Sequence, residues 1–73
     1  MKVIETYLPD QFNEIPSKRL MDFVTVNPRS NLEMSILDTW KWHFEKARVP
    51  FAIEEKINPD WGNTLILWKE RRV

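Results

Sequence analysis

The residue types that could do chemistry are concentrated in the segment DTWKWHF, residues 38–44. It holds two of the four tryptophans and the only histidine, His43, which is the natural candidate for acid–base work near neutral pH. A catalytic or metal site needs several convergent groups, and the chain offers no second histidine and no cysteine. We therefore expect a structural role for His43, no catalytic residue and no metal site.

The carboxylates and the loops give no stronger catalytic pattern. Glu54 and Glu55 are consecutive in a predicted strand, so their side chains point to opposite faces and do not pair. We expect Glu55, which falls on the apolar side, to be a charge at a sheet edge instead of a buried acid. One glycine cannot form a phosphate-binding loop, and NPDWGN lacks the final glutamate of a calcium loop. We expect no cofactor and no enzymatic activity.

Size and composition limit the class of protein. The chain has 73 residues, which fits a single domain over residues 1–73, and its eleven basic and eleven acidic residues cancel. A neutral chain does not favour nucleic acid as the partner. The absence of cysteine fits a reducing compartment. No apolar run approaches the roughly 20 residues that span a bilayer, and no signal peptide is recognisable, so we expect a cytoplasmic protein that is not bound to a membrane.

The segment that contains DTWKWHF is predicted to be a helix. Ser30 followed three residues later by Glu33 fits a capping box, and Pro50 closes the segment. About 18 residues lie between these signals, which is too long for an ordinary strand. Lys41 and Glu45 are expected to face solvent. On the opposite side, apolar residues four positions apart predict a stripe that faces the core: Leu32, Ile36, Trp40 and Phe44.

Four strands are predicted around this helix from their β-branched and aromatic content. In the first, Ile4, Thr6 and Leu8 are expected to face the core. A short helix opened by Ser17 is the alternative for part of the second. The last two form a hairpin around Gly62, where a positive φ is expected. The strands cover residues 3–8, 20–26, 51–57 and 64–70.

These elements predict an α+β fold. The order is β-β-α-β-β, and the simplest arrangement is a small single domain with about four mostly antiparallel strands and one long helix packed on one face. The strand of residues 64–70 is apolar on both faces, so we expect it to be central in the sheet.

Some large apolar residues have no place in this predicted core. Trp42 lies about 150° from the centre of the stripe, and Met34 is also off the stripe, so both could belong to one outer patch. Exposed tryptophans are typical of interface hot spots. Trp61 lies at the predicted hairpin tip, where functional residues are common. Together with two charged neighbours, these form the predicted binding residues: Trp42, Met34, Lys41, Glu45 and Trp61.

A structural role is the alternative for Trp42. Its ring could lie over the stem of Lys46, one turn further along the helix, as a cation–π pair. The N-terminal segment could instead cover it, because Phe12 and Ile15 also need apolar partners.

The function expected from these features is a non-catalytic protein-interaction module, a small regulator or inhibitor. Its partner would be a larger protein or a second copy of the chain. Small accessory proteins of phages and mobile elements have a similar profile, an analogy of size alone. The first alternative is a nucleic-acid-binding domain that uses an aromatic sheet face or the basic C-terminus with Arg71 and Arg72. The second is a small enzyme or enzyme subunit with His43 as its acid–base residue.

Overall fold

One four-stranded sheet and one long helix on one of its faces make up the fold. The computed structural model describes residues 2–60 and 62–71. The predicted α+β class and the order of strands and helix are confirmed. The strands are β1 (Lys2–Tyr7), β2 (Leu20–Val26), β3 (Phe51–Asn58) and β4 (Gly62–Glu70), and the helices are α1 (Pro9–Asn13) and α2 (Asn31–Ala47).

The strand order in the sheet is β1-β3-β4-β2, and all three neighbouring pairs are antiparallel. The hairpin of β3 and β4 is therefore central, as the apolar pattern of β4 predicted. Its two strands pair from Phe51 opposite Lys69 to Asn58 opposite Gly62, whose φ is 96°. Because β3 is central, Glu55 is not a charge at a sheet edge, and that prediction is wrong.

The chain between β1 and β2 forms two short helical pieces. Leu8 takes a left-handed conformation, with φ 52° and ψ 62°, and Pro9 then starts α1. A 3-10 turn, Ser17–Arg19, follows Pro16 and runs directly into β2. Residues 20–26 are therefore the predicted strand, and the helical alternative opened by Ser17 is limited to the three-residue 3-10 turn that precedes it.

Local capping signals set the limits of α2. Ser30 Oγ accepts a hydrogen bond from the Glu33 amide at 3.2 Å, while the Ser30 amide donates to the Asn27 carbonyl at 3.0 Å. The predicted hydrogen bond to the Ser30 side chain is therefore present. The second hydrogen bond of a capping box, from the Ser30 amide to the Glu33 side chain, is replaced by the bond to the Asn27 carbonyl. Arg48 ends the helix in a left-handed conformation, two residues before Pro50. Neither helix in the described part of the chain has the length and apolarity needed to cross a membrane.

The core lies between α2 and one face of the sheet. Residues directly opposite each other on paired strands share a face, so Ile53 and Leu67 point to the same side. Ala52 and Trp68, one position along each strand, point to the other side. The buried apolar residues that form the core cluster come from β2, α2, β3 and β4: Val26, Leu37, Phe44, Phe51, Ile53, Leu65 and Leu67.

β1 faces α2 with a different set of residues from the predicted one. The pairing of β1 with β3 is irregular between Val3 and Glu5, and beyond it Glu5 and Tyr7 lie on the side of α2. Tyr7 packs against the core, and its hydroxyl donates to the backbone carbonyl of Glu45 at 3.2 Å. Ile4, predicted to face the core, is 48% exposed. The predicted inner side of β1 is therefore wrong.

Candidate functional site: an aromatic surface on α2

The row of apolar residues four apart on α2 is not a buried stripe. The exposed fraction falls along it, from 73% at Leu32 through 43% at Ile36 and 38% at Trp40 to 7% at Phe44. A four-residue step turns an α-helix by about 400°, so each member lies about 40° further round than the one before. Only the C-terminal end of this row reaches the core, and the prediction that all four residues are core is wrong.

The residues of α2 that face the sheet alternate three and four apart: Met34, Leu37, Lys41 and Phe44. Leu37 is 2% exposed, and Met34 packs against the core cluster. Lys41 occupies one of these inward positions because its Nζ reaches Glu5 Oε2 on β1 at 2.8 Å. Met34 therefore does not share an outer patch with Trp42, and the expectation that Lys41 faces solvent opposite the core is wrong.

The outer side of α2 exposes several aromatic and aliphatic side chains, with the polar Ser35 and Thr39 among them. These aromatic and aliphatic residues, which we call the α2 surface, are Leu32, Ile36, Trp40, Trp42 and His43. The His43 ring lies between the two tryptophans, with centroid distances of 5.8 Å to Trp40 and 5.2 Å to Trp42. Ile36, Trp40 and His43 also line a shallow groove along the helix. Of these five residues, only Trp42 was among the predicted binding residues, and the structure adds the other four.

Trp40 is held in place by the sheet below it. Its ring meets Phe23 on β2 edge-to-face, with centroids 4.8 Å apart and an interplanar angle of 80°. Phe23 in turn contacts Phe44 of the core cluster at a centroid distance of 5.3 Å. Trp40 is therefore anchored on one side and open on the other. This arrangement suits a residue that belongs both to the fold and to a binding surface.

Trp42 is more than half open to solvent, at 56% exposure. The Nζ of Lys46 lies 4.8 Å from the centroid of its ring, so the cation–π contact considered from the sequence is present. The N-terminal segment does not cover it, since Phe12 lines a cleft beside Ala52 on the sheet face away from α2. Trp61, the other predicted tryptophan of the site, lies outside the described residues.

Charged side chains lie beside the aromatic residues of α2. Lys69 Nζ lies 4.9 Å from the ring of Phe23, which contacts Trp40, and Lys46 Nζ lies over the ring of Trp42. On the side towards β1, Asp38 lies 4.0 Å from Lys41, and Glu45 is exposed beside Tyr7. Lys46 is therefore the cation next to the exposed Trp42, and Asp38 and Glu45 lie towards β1.

The chemistry of this surface is that of contact and burial. His43 has two aromatic neighbours, and among residues 2–60 and 62–71 no three imidazole or carboxylate groups converge as metal ligands would. Large, partly ordered aromatic rings can instead bury apolar area against another molecule. The absence of enzymatic activity stays a prediction.

Comparisons of this chain with protein-family models, with curated proteins and with solved structures found no match.

Proposed function

We propose that this chain is a non-catalytic protein-interaction module, a small regulator or inhibitor that acts by occupying the surface of a larger protein. The observation that carries the proposal is the α2 surface, where five apolar or aromatic residues are exposed on the outer side of one helix. Single exposed apolar residues are ordinary in soluble proteins. A contiguous patch that contains tryptophan is typical of protein-binding sites.

Both tryptophans of this surface already make contacts within the chain. Phe23 fixes one side of the Trp40 ring, and Lys46 lies over the ring of Trp42. Ordering a flexible side chain on binding costs about 0.5–1.5 kcal/mol. Rings that are already held avoid part of this cost, which supports their use as anchors in a complex.

The charges beside the exposed rings favour one kind of partner. We infer a protein segment that presents apolar side chains to Ile36 and Trp40 and a carboxylate to Lys46, whose Nζ lies over the Trp42 ring. Asp38, which lies towards β1, would repel a carboxylate placed on that side. Complementary charge of this kind sets orientation and association rate more than total affinity.

A matched pair of variants tests this proposal. Leu32 in the α2 surface and Ile57 on β3 are 73% and 72% exposed, so Leu32→Asp and Ile57→Asp each replace an exposed aliphatic residue by a charge. An acidic residue in the first turn of a helix is also favourable, which keeps Leu32→Asp folded. Proteins captured from an extract of the source organism by the tagged chain would be purified and titrated by calorimetry.

We expect the wild-type chain to bind the purified partner protein. Leu32→Asp should weaken this binding by about tenfold or more, and Ile57→Asp should leave it unchanged. Equal loss in both variants, or loss only in Ile57→Asp, would contradict the assignment of the surface.

Two other outcomes would show that a different partner binds. A dimer in sedimentation equilibrium that Leu32→Asp dissociates would show that a second copy covers the α2 surface. Binding to oligonucleotides that falls steeply with salt would favour the nucleic-acid alternative.

A further inference from the structure

The face of the sheet away from α2 carries a cleft of its own. α1 and the 3-10 turn after it lie over part of this face, and a cleft of about 300 Å³ remains between them and the strands. Phe12 and Ser17 contribute from the covering segment, and Ala52, Glu54 and Trp68 contribute from β3 and β4. This volume lies at the lower end of the range of small-molecule pockets.

The walls of the cleft are mostly apolar. Ala52 is 1% exposed and forms its floor, Val3 and Leu20 complete it from the two edge strands, and Phe12 faces it from α1. Trp68 is half-buried on β4, so a large aromatic ring is available to a ligand. An apolar pocket with a few fixed polar groups is the usual form of a small-ligand site.

Glu54 is the charged group of this cleft. Its Oε1 accepts a hydrogen bond from the Trp68 indole Nε1–H at 2.5 Å. Its cross-strand neighbours are apolar, Val3 on β1 and Ile66 on β4. No ion pair within the described ranges includes Glu54. A half-buried carboxylate with one donor keeps most of its acceptor capacity, and its charge is not compensated by a cation of the described chain.

We propose that this cleft binds a small organic cation, a primary ammonium attached to an apolar or aromatic body. The ammonium would donate to the Glu54 carboxylate and to the Ser17 hydroxyl. The Trp68 ring would add a cation–π contact, and the body would pack on Phe12. A hard metal ion requires six or more oxygen ligands, so one carboxylate between aromatic walls favours the organic cation.

This site is independent of the α2 surface, because it lies on the opposite face of the sheet. The probe is phenethylammonium, titrated into the isotopically labelled chain while the Trp68 indole N–H and Ala52 amide signals are followed. Phenethyl alcohol has nearly the same shape without the charge and serves as the ligand control. We expect saturable binding of the ammonium and roughly tenfold weaker binding of the alcohol, from the loss of a charged hydrogen bond.

Glu54→Gln removes the charge and keeps an oxygen that can accept from the Trp68 indole. Glu55→Gln removes the same charge from the next residue of β3, on the side of α2, and is the matched control. We expect about tenfold weaker binding of phenethylammonium in Glu54→Gln and wild-type binding in Glu55→Gln.

Equal affinity for the ammonium and the alcohol in the wild-type chain would overturn the proposal without any variant. Unchanged binding in Glu54→Gln, shifts confined to residues outside the cleft, or no saturable binding would each overturn it as well.

Discussion

Replacing Trp40 by alanine should destabilise the fold by about 2–3 kcal/mol, whereas replacing Trp42 should cost less than about 1 kcal/mol. Removing a fully buried tryptophan costs about 3–5 kcal/mol. Trp40 is 38% exposed, so about three-fifths of the residue is covered. The covering contacts include Phe23 on β2, and unfolding removes this contact. Scaling the core value by this fraction gives the larger estimate.

The smaller estimate follows from what surrounds Trp42. Its ring contacts are to His43 and Lys46, both on its own helix, and 56% of the residue is exposed. Neighbours in sequence also cover part of the ring in the unfolded chain, so folding adds little burial there. An exposed cation–π contact contributes about 0.5–1 kcal/mol.

Urea unfolding followed by far-ultraviolet circular dichroism measures both values without relying on tryptophan fluorescence, which the substitutions change. In a thermal scan, about 4–8 °C is lost per kcal/mol for a domain of this size, so Trp40→Ala should lower Tm by roughly 10–20 °C. Equal costs for the two variants, or a loss of 2–3 kcal/mol in Trp42→Ala alone, would refute this account of the α2 surface.

Three further predictions concern the fold that supports the surface. Ser30→Ala removes the oxygen that accepts from the Glu33 amide, and we expect a loss of about 1 kcal/mol in urea unfolding. Arg48→Gly relieves a left-handed residue at φ 58° and should raise the free energy of unfolding by about 0.5–1 kcal/mol; a loss would contradict the assigned helix end. A double-mutant cycle of Lys41 and Glu5 should give a coupling below about 1 kcal/mol that shrinks with salt, because both side chains are partly exposed.

The limits of the helix and of the central hairpin were predictable from the sequence because local groups set them. The Ser30 hydroxyl satisfies an amide of the first turn, and Pro50 follows the last residues of α2. Gly62 supplies the positive φ at the start of β4. Each signal acts within a few residues, so no tertiary contact is needed to read it.

The rotation of α2 and the inner side of β1 were both mispredicted. The rotation was taken from apolar residues four apart, and the inner side of β1 from the more apolar of its two faces. Neither pattern shows that Lys41 and Glu5 each face the other layer and pair there at 2.8 Å, because the partners lie 36 residues apart in the chain. The irregular pairing between Val3 and Glu5 also changes which residues of β1 face α2, and alternation alone does not reveal it.

The binding residues were predictable in part. Trp42 is exposed, in agreement with its predicted position away from the apolar stripe. It lies far from the sheet-facing side of α2 in both the predicted and the observed rotation of the helix. Leu32 and Ile36 were assigned to the core from their four-residue spacing. Residues four apart rotate gradually around the helix, and the spacing alone does not show which of them still face the sheet. The cleft around Glu54 and Trp68 depends on where Phe12 comes to lie, and no periodicity in the α1 segment fixes that position.

The indole N–H signals of the tryptophans in the labelled chain, recorded during titration with the purified protein partner, test the central claim most directly. Trp40 and Trp42 lie in the α2 surface, and Trp68 lies on the other face of the sheet. We predict that the Trp40 and Trp42 signals shift with the partner while the Trp68 signal stays in place. A shift of Trp68 alone, with Trp40 and Trp42 unchanged, would contradict the proposal that this protein acts through α2.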